Sequence, residues 1–170
     1  MLFETTGKIT ILVGLIGTAI FGILDIIFVF VGGQISDKIG RRVIIAGANL
    51  LALIVLFPSI YLIGPVYFIF FLSMFAVAHG LSYSPMGAMI SEIFPTRVRY
   101  SGNSASYQYG NSFIGGPAPY VSDLLGTLEY ALYPVFTLIF ILIALGVIYK
   151  SKETDNMSLE ESDSGADSIA

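Results

Sequence analysis

The sequence predicts an all-α polytopic membrane protein, a bundle of five transmembrane helices. Of its 170 residues 55% are hydrophobic and 12% charged, about half the charged share of a soluble domain. Mean hydropathy is +0.83. The apolar residues fall into five long runs, so the solvent for most side chains is lipid. Between the runs, Lys and Arg gather in two short stretches punctuated by Gly and Pro, as in loops retained on one side of a membrane.

The first predicted span is 9–32, long enough to cross a hydrocarbon core of about 30 Å at about 1.5 Å per residue. Its Gly14, Gly17, Gly22 and Gly32 would weaken a soluble helix, but in a membrane they allow close helix–helix approach. The residues from Gly33 to Arg42 read as a tight basic hairpin. The second span is 43–63, with Pro58 near its far end, and Gly64-Pro65 is a turn. The third is 66–90, interrupted by Pro85. A second basic loop, 91–102, follows. The fourth span, 103–125, is the most polar, and the fifth is 130–149. Together residues 1–150 are read as one transmembrane domain. The Ser-, Asp- and Glu-rich residues 151–170 are expected to form a disordered acidic cytoplasmic tail.

Five spans put the two basic loops and the tail on one side with seven of the eight Lys and Arg residues, leaving Lys8 on the other. That asymmetry predicts a multi-pass cell-membrane protein with its N-terminus outside and its C-terminus cytoplasmic. The first run is too long for a signal peptide and no small-residue cleavage pattern closes it. An odd span count with an outside N-terminus leads to the expectation that the chain is part of something larger.

Composition also excludes functions. Without Cys, disulfides, thiolate catalysis and thiolate metal sites are ruled out. The lone His79 rules out a His-rich metal site. No acid–His–nucleophile set supports an enzyme, and neither a cofactor nor nucleic acid is expected as a partner. The net charge of −4 says little about the membrane part, because the tail carries six acids against one Lys.

Polar residues inside the spans mark candidate pathway positions. Asp25 lies about 12 Å of helix from Gly33. A carboxylate near mid-membrane costs on the order of 3 kcal/mol and normally faces a cavity or a partner. Asp25 is therefore the first candidate for proton coupling or a polar substrate contact, against a solvated acid that only packs. His79, with Tyr83 one turn on, is either a proton relay or substrate contact, or a satisfied interhelical hydrogen-bond partner. On the fourth span, Asn103, Ser104, Tyr107, Gln108 and Asn111 fall within an arc of about 140° at helical spacing. Such a stripe lines a cavity or a polar helix interface, and Gly115-Gly116-Pro117 with Pro119 loosens the backbone behind it.

Two motifs carry a resemblance. Gly33-Gln34-Ile35-Ser36-Asp37-Lys38-Ile39-Gly40-Arg41-Arg42 matches the G-x-x-x-D-[RK]-x-G-[RK]-[RK] signature of the major facilitator superfamily at every specified position. Ser91-Glu92-Ile93-Phe94-Pro95-Thr96-Arg97-Val98-Arg99-Tyr100-Ser101-Gly102 resembles a run in that superfamily's metabolite:proton symporter branch. The resemblance covers roughly residues 10–150 and implies helices eight to twelve of such a transporter, most of its C-terminal half. It implies symport of a small polar metabolite with protons by alternating access, with membrane lipid and an N-terminal half as further partners. It also implies a gate motif of Gly33, Asp37, Lys38, Gly40, Arg41 and Arg42, with Asp37 finding its donors among the three cations or at a facing helix N-terminus. Glu92 with Arg97 and Arg99 forms a second charge cluster. The alternatives are cations that only set topology and, for the chain as a whole, a non-transporting remnant or helix-packing scaffold.

Overall fold

The computed structural model describes residues 11–62, 64–128 and 132–151. The expected lead at Met1–Lys8 and the acidic tail beyond Ser151 lie outside the described residues. Among those described, every regular element is a helix: α1 (Ile11–Ile39), α2 (Arg41–Tyr61), α3 (Pro65–Ile93), α4 (Arg99–Tyr109), a π-helical segment (Gly110–Gly115), α5 (Ala118–Leu128) and α6 (Leu132–Lys150). The first three are each long and apolar enough to cross a membrane, while the apolar stretch of α6, Pro134–Lys150, is shorter. The chain is an all-α membrane protein.

Several expected boundaries are corrected. The basic hairpin is not a ten-residue loop, because α1 continues in helical register through Asp37 and Lys38 to Ile39. Only Gly40 is non-helical between α1 and α2, at φ 105. A side chain there would be strained, so the reversal needs glycine. The second basic loop shrinks as well, to residues 94–98. Pro95 pushes Phe94 into extended backbone, which stops α3 at Ile93. Pro85 does not interrupt α3; it is buried inside a continuous helix. The fourth expected span is not one α-helix, since the π-helical segment divides it. There Gly116 N–H donates to Asn111 O across five residues at 2.6 Å, a π-type closure. Pro117 then offers no N–H, and α5 starts afresh with Pro119 in its first turn, where proline is tolerated.

The core of the bundle is the α1–α3 pair, with α2 packed on α3 and α6 packed on α2. Contacts advance together along the two chains, so α1 and α3 run in the same direction. A Cβ at Gly17 would stand 3.0 Å from the Phe68 ring, at Gly80 2.8 Å from Asp25 O, at Gly32 2.6 Å from Leu81 O, and at Gly33 2.8 Å from Ser84 Oγ. The helices approach this closely because one partner at each crossing lacks a Cβ. Gly14 and Gly22, expected to serve the same purpose, have nothing within 4 Å. Their face of α1 is open in this chain.

At the Gly40 end, Ile45, Met89 and Ile148 form a buried apolar cluster that joins α2, α3 and α6. α4 packs on α3, and α5 on α6. Large apolar side chains such as Ile23, Ile26, Phe30, Ile54, Phe57, Ile143 and Val147 are exposed, as expected of surfaces that meet lipid or further helices.

Candidate transport site

Glycine packing brings two polar side chains together in the middle of the bundle. Asp25 has equal lengths of α1 on either side of it, and His79 is likewise the central residue of α3. Next to His79, Gly80 lets the α1 backbone come in at Asp25, and the two side chains meet. His79 Nδ1 and Asp25 Oδ1 are 2.8 Å apart. The imidazole side chain is 52% exposed and the carboxylate 23%, so the ring presents an open edge while the acid is largely enclosed. Phe21 and Tyr83 flank the ring at centroid distances of 6.1 and 5.4 Å. Both follow from helical spacing: Phe21 precedes Asp25 by four residues, and Tyr83 follows His79 by four.

The open face of α3 that carries His79 and Tyr83 continues onto α4. Tyr107 Oη comes within 2.9 Å of where a Cβ at Gly87 would stand, so the absence of a side chain there admits the phenol. Asn103 is half-buried and its Oδ1 finds no hydrogen-bond partner among the described residues. Ser104, Gln108 and Asn111 are exposed. Asn111 lies in the π-helical segment, so the regular angular reckoning that grouped it with the other four stops at Tyr109. What the structure brings together is Asp25, His79, Tyr83 and Tyr107; Gln108 and Asn111 stand on the free side of α4 and its continuation.

A second group of charges closes the other end of α1. Arg41, in the first turn of α2, reaches two acids from two helices. Its guanidinium is 3.4 Å from Asp37 Oδ1 and 2.6 Å from Glu92 Oε1. Asp37 sits in the last turn of α1, where the helix dipole disfavours a carboxylate, and Arg41 offsets that. Glu92 thus meets the cation of the first basic junction rather than being confined to its own loop. Its other oxygen, Oε2, is buried with no hydrogen-bond partner among the described residues. Arg41 is 14% exposed, against 64% for Asp37 and 28% for Glu92. The Arg41–Glu92 contact is therefore the shielded half of the relay and the stronger one.

Neighbouring cations act separately. Arg42 donates from Nη2 to the Tyr149 carbonyl and lies 5.7 Å from the Tyr149 ring centroid. It thereby ties α2 to the C-terminal turn of α6, where a cation meets the negative end of the helix dipole. Arg99 Nε donates to Phe94 O at 3.1 Å, holding the short α3–α4 loop. Lys38 and Arg97 are exposed. Ser36, fully buried, donates to Gly33 O at 2.8 Å. Tyr149 had not been singled out in the sequence, where it reads only as the aromatic end of an apolar run.

Among the described residues no group of three or more His, Asp or Glu is placed to hold a metal ion. Comparison with known proteins agrees with the two motifs. The family described as "Sugar (and other) transporter" matches residues 1–165. The chain is 38% identical over 107 residues to the inner membrane metabolite transport protein YhjE of Escherichia coli, covering 59% of this chain and 24% of that protein. It is 33% identical over 115 residues to a citrate-proton symporter of Salmonella typhi, covering 65% and 26%. With the arabinose-proton symporter of Bacillus subtilis it shares 34% over 157 residues, covering 87% and 33%. The chain thus spans about a quarter to a third of the length of these relatives. No solved structure matches it significantly. The chain belongs to the sugar (and other) transporter family of the major facilitator superfamily.

Proposed function

We propose that the chain supplies part of a proton-coupled metabolite transporter that works by alternating access. The observation that carries this reading is the Asp25–His79 contact at the centre of α1 and α3. Two ionisable groups sharing one hydrogen bond at mid-membrane depth are a costly arrangement, and a proton pathway is the usual reason for one. Tyr83 and Tyr107 extend that polar track toward α4, and Asn103, Gln108 and Asn111 offer neutral donors and acceptors for a small polar metabolite. The metabolite and citrate or arabinose named for the relatives set the substrate class to test.

In this reading the Asp37–Arg41–Glu92 relay is the cytoplasmic latch, framed by Gly33 and Gly40, while Lys38, Arg42, Arg97 and Arg99 are the other gate-motif residues at the same end. The N-terminus is outside and the C-terminus cytoplasmic, which the clustering of cations at the Gly40 end supports. The five spans correspond to helices eight to twelve, with an N-terminal half on the same or a separate chain as partner and lipid around the apolar faces. The π-helical segment and the sparse packing of α4 make this the moving wall, and the α1–α3 pair the fixed one. Accumulation of labelled citrate and arabinose in energised membrane vesicles tests the reading. Gradient-driven accumulation of either substrate is expected, lost in the Asp25→Asn/His79→Gln double variant while downhill exchange continues. Undiminished accumulation by that variant would reject the pair as the proton site.

A further inference from the structure

One shared proton joins His79 Nδ1 and Asp25 Oδ1, and which of the two owns it decides which residue exchanges protons with the outside. We infer that His79 Nε2 is the atom that takes up and releases the coupled proton, and that Asp25 is a positioning residue which holds the imidazole in its Nδ1–H form. This rests on the reading of the pair as the proton site and assigns the work within it.

The geometry separates the two roles. The α1 backbone closes on α3 where Gly80 meets the Asp25 carbonyl, and the Asp25 side chain is 23% exposed against 52% for His79. With Nδ1 directed at the carboxylate, the Nε2 edge of the ring faces away from α1, on the exposed side of α3 that also carries Tyr83. Phe21 and Tyr83 are the aromatic neighbours of the ring, at centroid distances of 6.1 and 5.4 Å. A carboxylate bound to one imidazole nitrogen fixes the tautomer and steadies the imidazolium once the other is protonated. The step is balanced and simple. Neutral His79, protonated at Nδ1, accepts a proton at Nε2 to become imidazolium beside the Asp25 carboxylate, and later returns it from Nε2. No bond other than N–H forms or breaks.

Among the described residues few other ionisable groups compete. Tyr83 faces the ring from α3, and Tyr107 approaches from α4. Asp37 and Lys38 on α1 and Glu92 on α3 lie at the helix ends, twelve or more residues from the pair, about 18 Å along the helix. At that distance they do not set the tautomer.

The chain has a single histidine, so ¹⁵N-histidine labelling of the protein in lipid nanodiscs reports on His79 alone. The expected spectrum of the neutral ring is that of the Nδ1–H form, with an added proton appearing at Nε2. In Asp25→Asn the two neutral tautomers mix, because the carboxylate that holds the Nδ1–H form is gone. A ring protonated at Nε2, with Nδ1 accepting a proton from the Asp25 carboxyl, would overturn the inference and make Asp25 the carrier while leaving the pair as a proton site. A ring that stays in one protonation state from mildly acidic to mildly alkaline pH, with a carboxyl that does not titrate by infrared absorption, would reject both.

Discussion

The α1–α3 pair and the α4–π–α5 segment treat their polar side chains in opposite ways. Along α1 and α3 the helices are unbroken, glycines bring the backbones into contact, and the polar groups at the centre meet each other. Along α4 the backbone changes helical type at Gly110, few neighbours pack on it, and polar side chains are left facing outward. A wall whose polar residues satisfy each other can stay fixed while charge on it changes. One whose polar residues are unsatisfied needs water, substrate or a second half-bundle. In the proposed reading, this difference assigns the proton to the first wall and the movement to the second.

The largest expected effect comes from attacking the fixed wall. In Gly32→Val the new Cβ would stand 2.6 Å from the Leu81 carbonyl oxygen, a backbone atom that cannot swing aside. A loss of about 3 kcal/mol or a failure to assemble is expected, read as a lower melting temperature in detergent. Gly14→Val, with nothing within 4 Å, is the matched control and should leave stability unchanged in this chain.

Next comes the Asp37–Arg41–Glu92 relay, which joins α1, α2 and α3. Arg41→Ala leaves Glu92, already holding one unsatisfied buried oxygen, without its cation. A cost of about 2 kcal/mol is expected, largely recovered in Arg41→Ala/Glu92→Gln. Equal destabilisation in single and double variants would show that the ion pair is not what Arg41 contributes. Gly40→Ala should cost about 1 kcal/mol because of the positive φ at the α1–α2 reversal. The smallest change is expected in the other wall, where Gly110→Ala meets nothing within 4 Å and should alter stability by less than about 0.5 kcal/mol. Any effect it has should be on transport rate.

Much of this architecture was legible in the residues. Hydropathy alone marked the long helices, and the two basic stretches announced that their junctions share one end, as the Arg41–Glu92 contact bears out. Gly17 and Gly32 were read as packing glycines for the right reason. What misled was treating glycine and proline as punctuation. Gly33 sits inside α1, where it packs against Ser84, and Pro85 is buried mid-helix. Local propensity cannot anticipate a tertiary contact that rewards the missing Cβ. The Asp25–His79 contact was out of reach for a related reason. The residues are 54 apart, and only the interhelical register, fixed by Gly80, aligns them. Both were singled out separately as costly polar groups in apolar runs; that each resolves the cost of the other needed the fold.

The contrast between the two walls is tested most directly by distance measurements between spin labels, for which a chain without cysteine provides a clean background. One pair, Ile27→Cys with Met86→Cys, reports α1 against α3; the other, Met86→Cys with Gln108→Cys, reports α3 against α4. All three positions are exposed. The account predicts a single narrow α1–α3 distance that is unchanged between neutral and acidic pH, beside a broad α3–α4 distribution whose populations shift. An α1–α3 distance that broadens or shifts as much as the α3–α4 distance would contradict it.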